Sequence, residues 1–184
     1  MATSGEDDVY SLIGLALVAA QRIEFLLYGI ASLAGHTPAA QKEKRFRELT
    51  PEKFLRGGES ERKATLGQIV ETFGDAFLIR TEDLVTFYKD RNLIAHDFVR
   101  TFRMNIRGTN PRRDAREFLF SFLERALYWE DVLRGFLAEL KIAAAKKEGR
   151  EAELEITADD FARMETYRKL AERHLSARTT TQKS

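Results

Sequence analysis

The sequence predicts an all-α protein, an up-and-down bundle of four to five helices, on three observations. Apolar residues recur in alternating steps of four and three along several long segments, the spacing of one stripe on a helix. Only three prolines and 11 glycines interrupt 184 residues, too few for the many turns of a β fold. Hydrophobic residues make up 43% and charged residues 32%, which supplies a core and a solvated surface and is too apolar for a disordered chain.

The first helix is expected from about Asp8 to Leu33, with Val9, Ile13, Ala16, Ala20, Ile23, Leu27, Ile30 and Ala34 on its stripe. Gly35 suits the left-handed residue that closes a helix, and Pro38 does not continue one. A charged connection, 41–48, follows. Thr50-Pro51 opens a short helix that Gly57-Gly58 must end, and a second short helix is expected over Leu66 to Phe73. Thr81-Glu82-Asp83 then opens a third major helix reaching about Phe102. Its stripe is Leu84, Phe87, Arg91, Ile94 and Phe98, so an arginine falls where the period demands a core residue. A charge in that place needs a partner, a wet cleft or a function.

Gly108-Thr109-Asn110-Pro111 reads as a turn before the longest helix, about Pro111 to Lys147. Ala115, Leu119, Phe122, Ala126, Trp129, Leu133, Phe136, Leu140 and Ala143 keep the four–three spacing of a helix packed lengthwise. A second apolar set, from Phe118 to Leu137, makes this helix central or part of a subunit interface. Thr157 caps a last helix, about Ala158 to Leu175. The expected organisation is a bundle over 1–149, a C-terminal helical extension over 150–176 and a disordered tail over 177–184.

The chain has no cysteine, which excludes disulfides, thiolate zinc sites and cysteine nucleophiles. Met1 to Asp8 is acidic and lacks the basic segment of a signal peptide. The longest apolar run, Leu12 to Ala20, stops at Gln21-Arg22, short of the roughly 18 residues a bilayer span needs. A cytoplasmic protein with no membrane association is expected. The net charge of +1 hides an asymmetry: from Val99 to Arg116 there are six arginines and a single acid, Asp114, whereas 148–165 is mostly acidic. Such a basic stretch suits a polyanion, and Arg100, Arg103, Arg107, Arg112 and Arg113 are the candidates for contact with a nucleic-acid backbone. A solvated helix end is the competing reading of the same charges.

No glycine-rich phosphate loop, nucleophile elbow or pair of carboxylates at catalytic spacing occurs. His and carboxylates do not fall at metal-ligand spacing, so no metal and no cofactor are expected. His36 and His174 are expected at the surface, and Gln21 and Glu24 are expected to make hydrogen bonds between helices.

The segment Tyr88-Lys89-Asp90-Arg91-Asn92-Leu93-Ile94-Ala95-His96-Asp97-Phe98 carries the chemistry. An arginine and a histidine five apart are common: three histidines and twenty arginines give about 0.3 chance matches in a chain of this size. Here, however, the arginine is followed at once by a polar residue, inside a predicted helix of a predicted bundle. With those features the segment resembles the Arg-polar-x3-His signature of the HEPN (higher eukaryotes and prokaryotes nucleotide-binding) domains. The resemblance is specific over about a dozen residues, agrees with the helical layout from Val9 to Lys147 and does not extend beyond Gly149. It implies an up-and-down bundle that dimerises. It also implies a metal-independent ribonuclease of toxin or phage-defence type, restrained in several members by a nucleotidyltransferase-type antitoxin. By position, Arg91, Asn92 and His96 are the catalytic residues it implies.

These residue types suit RNA cleavage by the 2′-hydroxyl. The step needs a proton acceptor and donor near neutrality, which an imidazole provides, and stabilisation of a crowded phosphorane, which a forked guanidinium provides. Asn92 is suited to holding a phosphate oxygen or fixing the histidine tautomer. On a regular α-helix, Arg91 and His96 would stand about 140° apart around the axis, so they are not expected to share one face. One segment also supplies only one histidine. A composite site from two copies of the chain is therefore expected. The alternatives are a non-catalytic HEPN-like module that binds nucleic acid, a nucleotide or a partner protein, with Arg91 serving as an ion-pair partner of Glu24 or Asp90, and a purely structural helical subunit.

Overall fold

A computed structural model of the chain describes residues 5–33, 42, 70–71, 77–79, 81–102 and 111–181. The ordered elements are helix α1 (Gly5–Leu33), α2 (Glu82–Asn92), a π-helical turn (Leu93–Asp97), α3 (Phe98–Thr101), α4 (Pro111–Glu148), a 3-10 turn (Glu151–Glu153) and α5 (Ala158–Thr181). There is no strand among the described residues, and the all-α bundle is the fold the sequence predicts.

The central helix is α4, which packs against both α1 and α5 along much of its length and also meets α2. The four–three stripes make this possible. Val9, Ala16, Ala20, Ile23, Leu27 and Ile30 on α1 are fully buried, as are Leu119, Phe122, Trp129 and Leu133 on α4. Each such Leu, Ile or Phe contributes about 2 kcal/mol through the apolar surface it removes from water. The second apolar set of α4 divides. Val132 is buried and Phe118, Leu123, Tyr128 and Leu137 are half-buried, whereas Phe120 and Leu127 face solvent.

Within α1, Asp8–Ser32 reaches a mean hydropathy of 1.5, long and apolar enough by length and composition to cross a bilayer. Counting only the unbroken run from Leu12 to Ala20 hides this, because Gln21, Arg22 and Glu24 interrupt the run without greatly lowering its average. In the bundle the apolar stripe of α1 is covered by protein.

The end of α4 and the start of α5 follow local rules closely. Gly149 takes a left-handed φ of 68°. Its amide donates to the Lys146 carbonyl, and the Arg150 amide to the Ala145 carbonyl, the paired bonds of a Schellman stop. Thr157 and Asp160 form a reciprocal cap: Thr157 Oγ1 accepts from the Asp160 amide, and the Asp160 carboxylate accepts from the amide and hydroxyl of Thr157. Those bonds hold the Asp160 carboxyl below its ordinary pKa of 3.8.

The C-terminal helix docks on the bundle. Met164 and Leu170 are buried, the Tyr167 ring stacks on Phe136, and its hydroxyl donates to the Phe77 carbonyl at 3.1 Å. Burial pushes the Tyr167 phenol pKa up.

Two expectations are corrected. The segment from Thr81 to Phe102 is not one α-helix, since a π turn divides it. The last helix does not stop near Leu175 but continues through Thr181, so the disordered tail expected over 177–184 is helical up to that residue, and 182–184 lie outside the described residues. The expected stop at Gly35, the connection 41–48, the short helix at Thr50-Pro51 and the turn at 108–110 also lie outside them, apart from a helical Lys42. Of the helix expected over Leu66 to Phe73, only Val70 and Glu71 are described, and both are helical.

Candidate nucleic-acid site at the π turn

Local chemistry starts α2 where the sequence places it. Thr81 has an extended backbone and its Oγ1 accepts from the Leu84 amide at 3.2 Å, while Glu82 and Asp83 lie at the positive end of the helix dipole. Leu84 and Phe87 point into the core, and Phe87 stacks on Phe122 of α4 with ring centroids 4.6 Å apart. Beyond Asn92 the backbone widens into the π turn, which ends at Asp97 with φ −127° and ψ 4°. Phe98 then returns to the core and joins Phe102 and Phe118 in an aromatic cluster, with centroid separations from 4.7 to 6.4 Å. Aromatic contacts with α4 thus anchor the turn on both sides, with Ile94 buried inside it.

The turn decides which side chains meet. A ring closed by i→i+5 bonds takes up one more residue than an α turn, so residues five apart come closer in azimuth than on a regular helix. Arg91, Asn92 and His96 accordingly line one open hollow of about 540 Å3, together with Lys89, Leu93, Asp97, Arg100 and Thr101. Arg91 and His96, expected on different faces of a regular α-helix, line the same hollow, with the π turn between them and the long Arg91 side chain reaching round to Asn92. Nothing in Leu93-Ile94-Ala95-His96-Asp97 signals the turn, for the segment contains neither glycine nor proline.

Arg91 is neither dry nor free. Its Nη2 lies 2.8 Å from Glu24 Oε1 on α1, and its Nη1 donates to Asn92 Oδ1 at 3.2 Å. The Arg91 and Glu24 side chains are 27% and 24% exposed, so the pair sits at the border between core and hollow. The residue before it, Asp90, pairs with Arg125 of α4 at 2.7 Å, so α2 is strapped to both neighbours by adjacent residues. Of the two partners the sequence offered for Arg91, Glu24 is the one that binds it, while Gln21 is exposed.

His96 is exposed, with no hydrogen-bond or ion-pair partner among the described residues. Asn92 binds Arg91, and no hydrogen bond joins it to His96. Accepting from a guanidinium identifies the contacting atom as the amide oxygen and leaves the NH2 group for another acceptor.

The expected basic patch is only partly gathered. Arg100 is 82% exposed, lines the hollow and pairs with Asp97 at 2.7 Å. Arg113 and Arg116 instead pair with Glu117 and with Asp8 of α1. Arg112 is helical, and Arg103 and Arg107 lie outside the described residues. The sequence reading passed over Lys89, which brings a third long cation to the hollow. Its position seven residues before His96, two helical turns away, was the available signal.

His174, expected at the surface, is half-buried on α5, and its Nε2 is shielded with no hydrogen-bond partner. Among the described residues no three His, Asp or Glu side chains come together as metal ligands.

The hollow therefore presents three long cations, one imidazole and one amide against one carboxylate, a set suited to a phosphodiester. No family model matches the chain, and neither a curated protein nor a solved structure matches it.

Proposed function

We propose that this chain is a metal-independent endoribonuclease of HEPN type, acting as a homodimer in the cytoplasm, where it serves as a toxin or phage-defence effector restrained by a partner such as a nucleotidyltransferase-type antitoxin. One observation carries the reading: Arg91, Asn92 and His96 line a single solvent-open hollow, with the imidazole exposed and the guanidinium half-buried. The three residues that the signature resemblance singles out are thus accessible to an RNA strand.

In the proposed reaction, His96 of one copy takes the proton of a 2′-hydroxyl as its oxygen attacks the adjacent phosphorus. The bond from phosphorus to the 5′-oxygen breaks, and that oxygen takes a proton from His96 of a second copy. A 2′,3′-cyclic phosphate and a 5′-hydroxyl result. Arg91 stabilises the extra charge on the phosphorane, and Asn92 holds Arg91 through its oxygen while its NH2 group is offered to a phosphate oxygen. Lys89 and Arg100 hold the flanking backbone. In this reading α1 is a core helix of the bundle and not a membrane span.

The test is incubation of the purified chain with RNA in the presence of a chelator. Products ending in cyclic phosphate are expected. The His96→Ala chain should lose cleavage by about a hundredfold or more while melting at the wild-type temperature, because the ring is exposed. Undiminished cleavage by His96→Ala rejects the assignment.

The second reading, a non-catalytic module that binds nucleic acid, draws on the Arg91–Glu24 pair, which already occupies part of the guanidinium. Binding of RNA without turnover, salt-sensitive and weakened by Arg100→Ala, is its signature.

A further inference from the structure

We propose that Glu24 is a positioning residue for Arg91, fixing the guanidinium at the mouth of the hollow at some expense in affinity for RNA. The inference rests on the nuclease reading and assigns a role to a residue of α1, a helix outside the signature segment that reaches its arginine.

An unrestrained arginine samples many rotamers, and one placed on a core stripe is drawn outward to keep its charge hydrated. Arg91 is instead held at two points: Nη2 pairs with the Glu24 carboxylate at 2.8 Å, and Nη1 donates to Asn92 Oδ1. A guanidinium has five N–H donors, so three remain for a phosphate. Because Glu24 stands on a separate helix packed on α4, the position of the fork is set by the bundle as well as by the π turn. The same carboxylate places a negative charge beside an incoming phosphate, which weakens binding of the ground state. Glu24 thus acts in opposite senses on the two kinetic constants, orienting Arg91 for the transition state and repelling the substrate.

Asp90 provides the control. Its pair with Arg125 is of similar length and burial and ties α2 to the other neighbouring helix, while Arg91 pairs with Glu24 instead.

The experiment compares the full chain with Glu24→Gln, Glu24→Asp and Asp90→Asn, measuring kcat, KM and the melting temperature on a short fluorescent single-stranded RNA. Glu24→Gln is expected to lower kcat on the order of tenfold, since small misplacements of a catalytic group are costly. It should lower KM as well, with RNA held more tightly and with a steeper salt dependence. Glu24→Asp, which keeps the charge, should recover part of kcat. Asp90→Asn should lower the melting temperature to a similar degree and leave kcat unchanged.

Wild-type kcat in Glu24→Gln, or equal losses of kcat in Glu24→Gln and Asp90→Asn, overturns the positioning role and leaves the nuclease reading intact. A wild-type chain that cleaves nothing ends the nuclease reading and this proposal together. In that case a thermal double-mutant cycle between Glu24→Gln and Arg91→Ala measures the pair as a strap of the fold alone.

Discussion

Two regions of this bundle use similar materials differently. At the α4–α5 junction each local rule agrees with the fold. A left-handed glycine stops one helix, a reciprocal threonine–aspartate cap starts the next, and ion pairs from Arg163 to Asp131 and from Arg168 to Glu139 lie on the wet side of the contact. Around the π turn the rules conflict. An arginine occupies the core stripe, a ring of the wrong size interrupts the helix, and the ion pairs of Arg91 and Asp90 are roughly three-quarters buried. Helix packing alone accounts for the first region. It gives no reason for the second, which holds a charge at a desolvated border and sets cations and an imidazole around a hollow. Departures from local consistency that are held in place by good packing on either side are where function is to be sought.

The sharpest way to break the contrast is to make the second region regular. Removing Ala95, an exposed residue of the π turn, lets the segment close as an α-helix. The bundle should keep its helical circular dichroism and a cooperative melt. Arg91 and His96 would then stand four apart, about 40° around a regular helix. They would still be on one side but displaced by more than an ångström from the positions the π turn gives them, and RNA cleavage should fall by about a hundredfold. Full activity after the deletion would show that the π turn is incidental.

The next largest effect belongs to the first region. A Cβ at Gly135 would run into the Arg163 carbonyl and stand 2.8 Å from the Met164 amide, both backbone groups of α5 that no rotamer can relieve. Gly135→Ala should cost about 2–3 kcal/mol and lower the melting temperature by roughly 5–10 °C. Cleavage by the fraction still folded should be unchanged, and a calorimetric melt together with an activity assay in the cold checks both halves.

The smallest effect is at the α5 cap. Thr157→Ala should cost about 1 kcal/mol at neutral pH. The hydrogen bonds from Thr157 lower the Asp160 pKa in the folded chain, so the stability linked to that carboxylate is present above 3.8 and is lost as pH falls through the lower folded value. The difference in melting temperature between Thr157→Ala and wild type should therefore narrow in acid, and a constant difference down to the lowest pH would show that the carboxylate has no part in the cap.

Much of this was legible in the residues. The four–three stripes of α1 and α4, the caps at Thr81 and Thr157 and the end of α4 near Lys147 depend on interactions within a few residues, and such interactions are written in local sequence. Arg91 on a core stripe was also visible as an anomaly, and its neighbours Asn92 and His96 were found through their spacing. The end of α5 was misjudged because Ser176 to Thr181 carries small polar residues with no stop signal, and its continuation as a helix could not be read from composition. For Lys89 the signal was weak, a two-turn offset from His96 of the kind that many lysines on a solvated helix face share.

By itself the sequence determined that the chain is helical, where most of its long helices begin and end, and which stripes face inward, because backbone hydrogen bonds and apolar periodicity act over one or two turns. Only the tertiary structure decided that the third major helix opens into a π turn and that Arg91 takes Glu24 as its partner. It likewise gathered Lys89, Arg91, Asn92, His96 and Arg100 around one hollow. Those outcomes depend on α1 and α4 packing against α2 and α3, contacts between residues far apart in the chain whose energies no local pattern encodes.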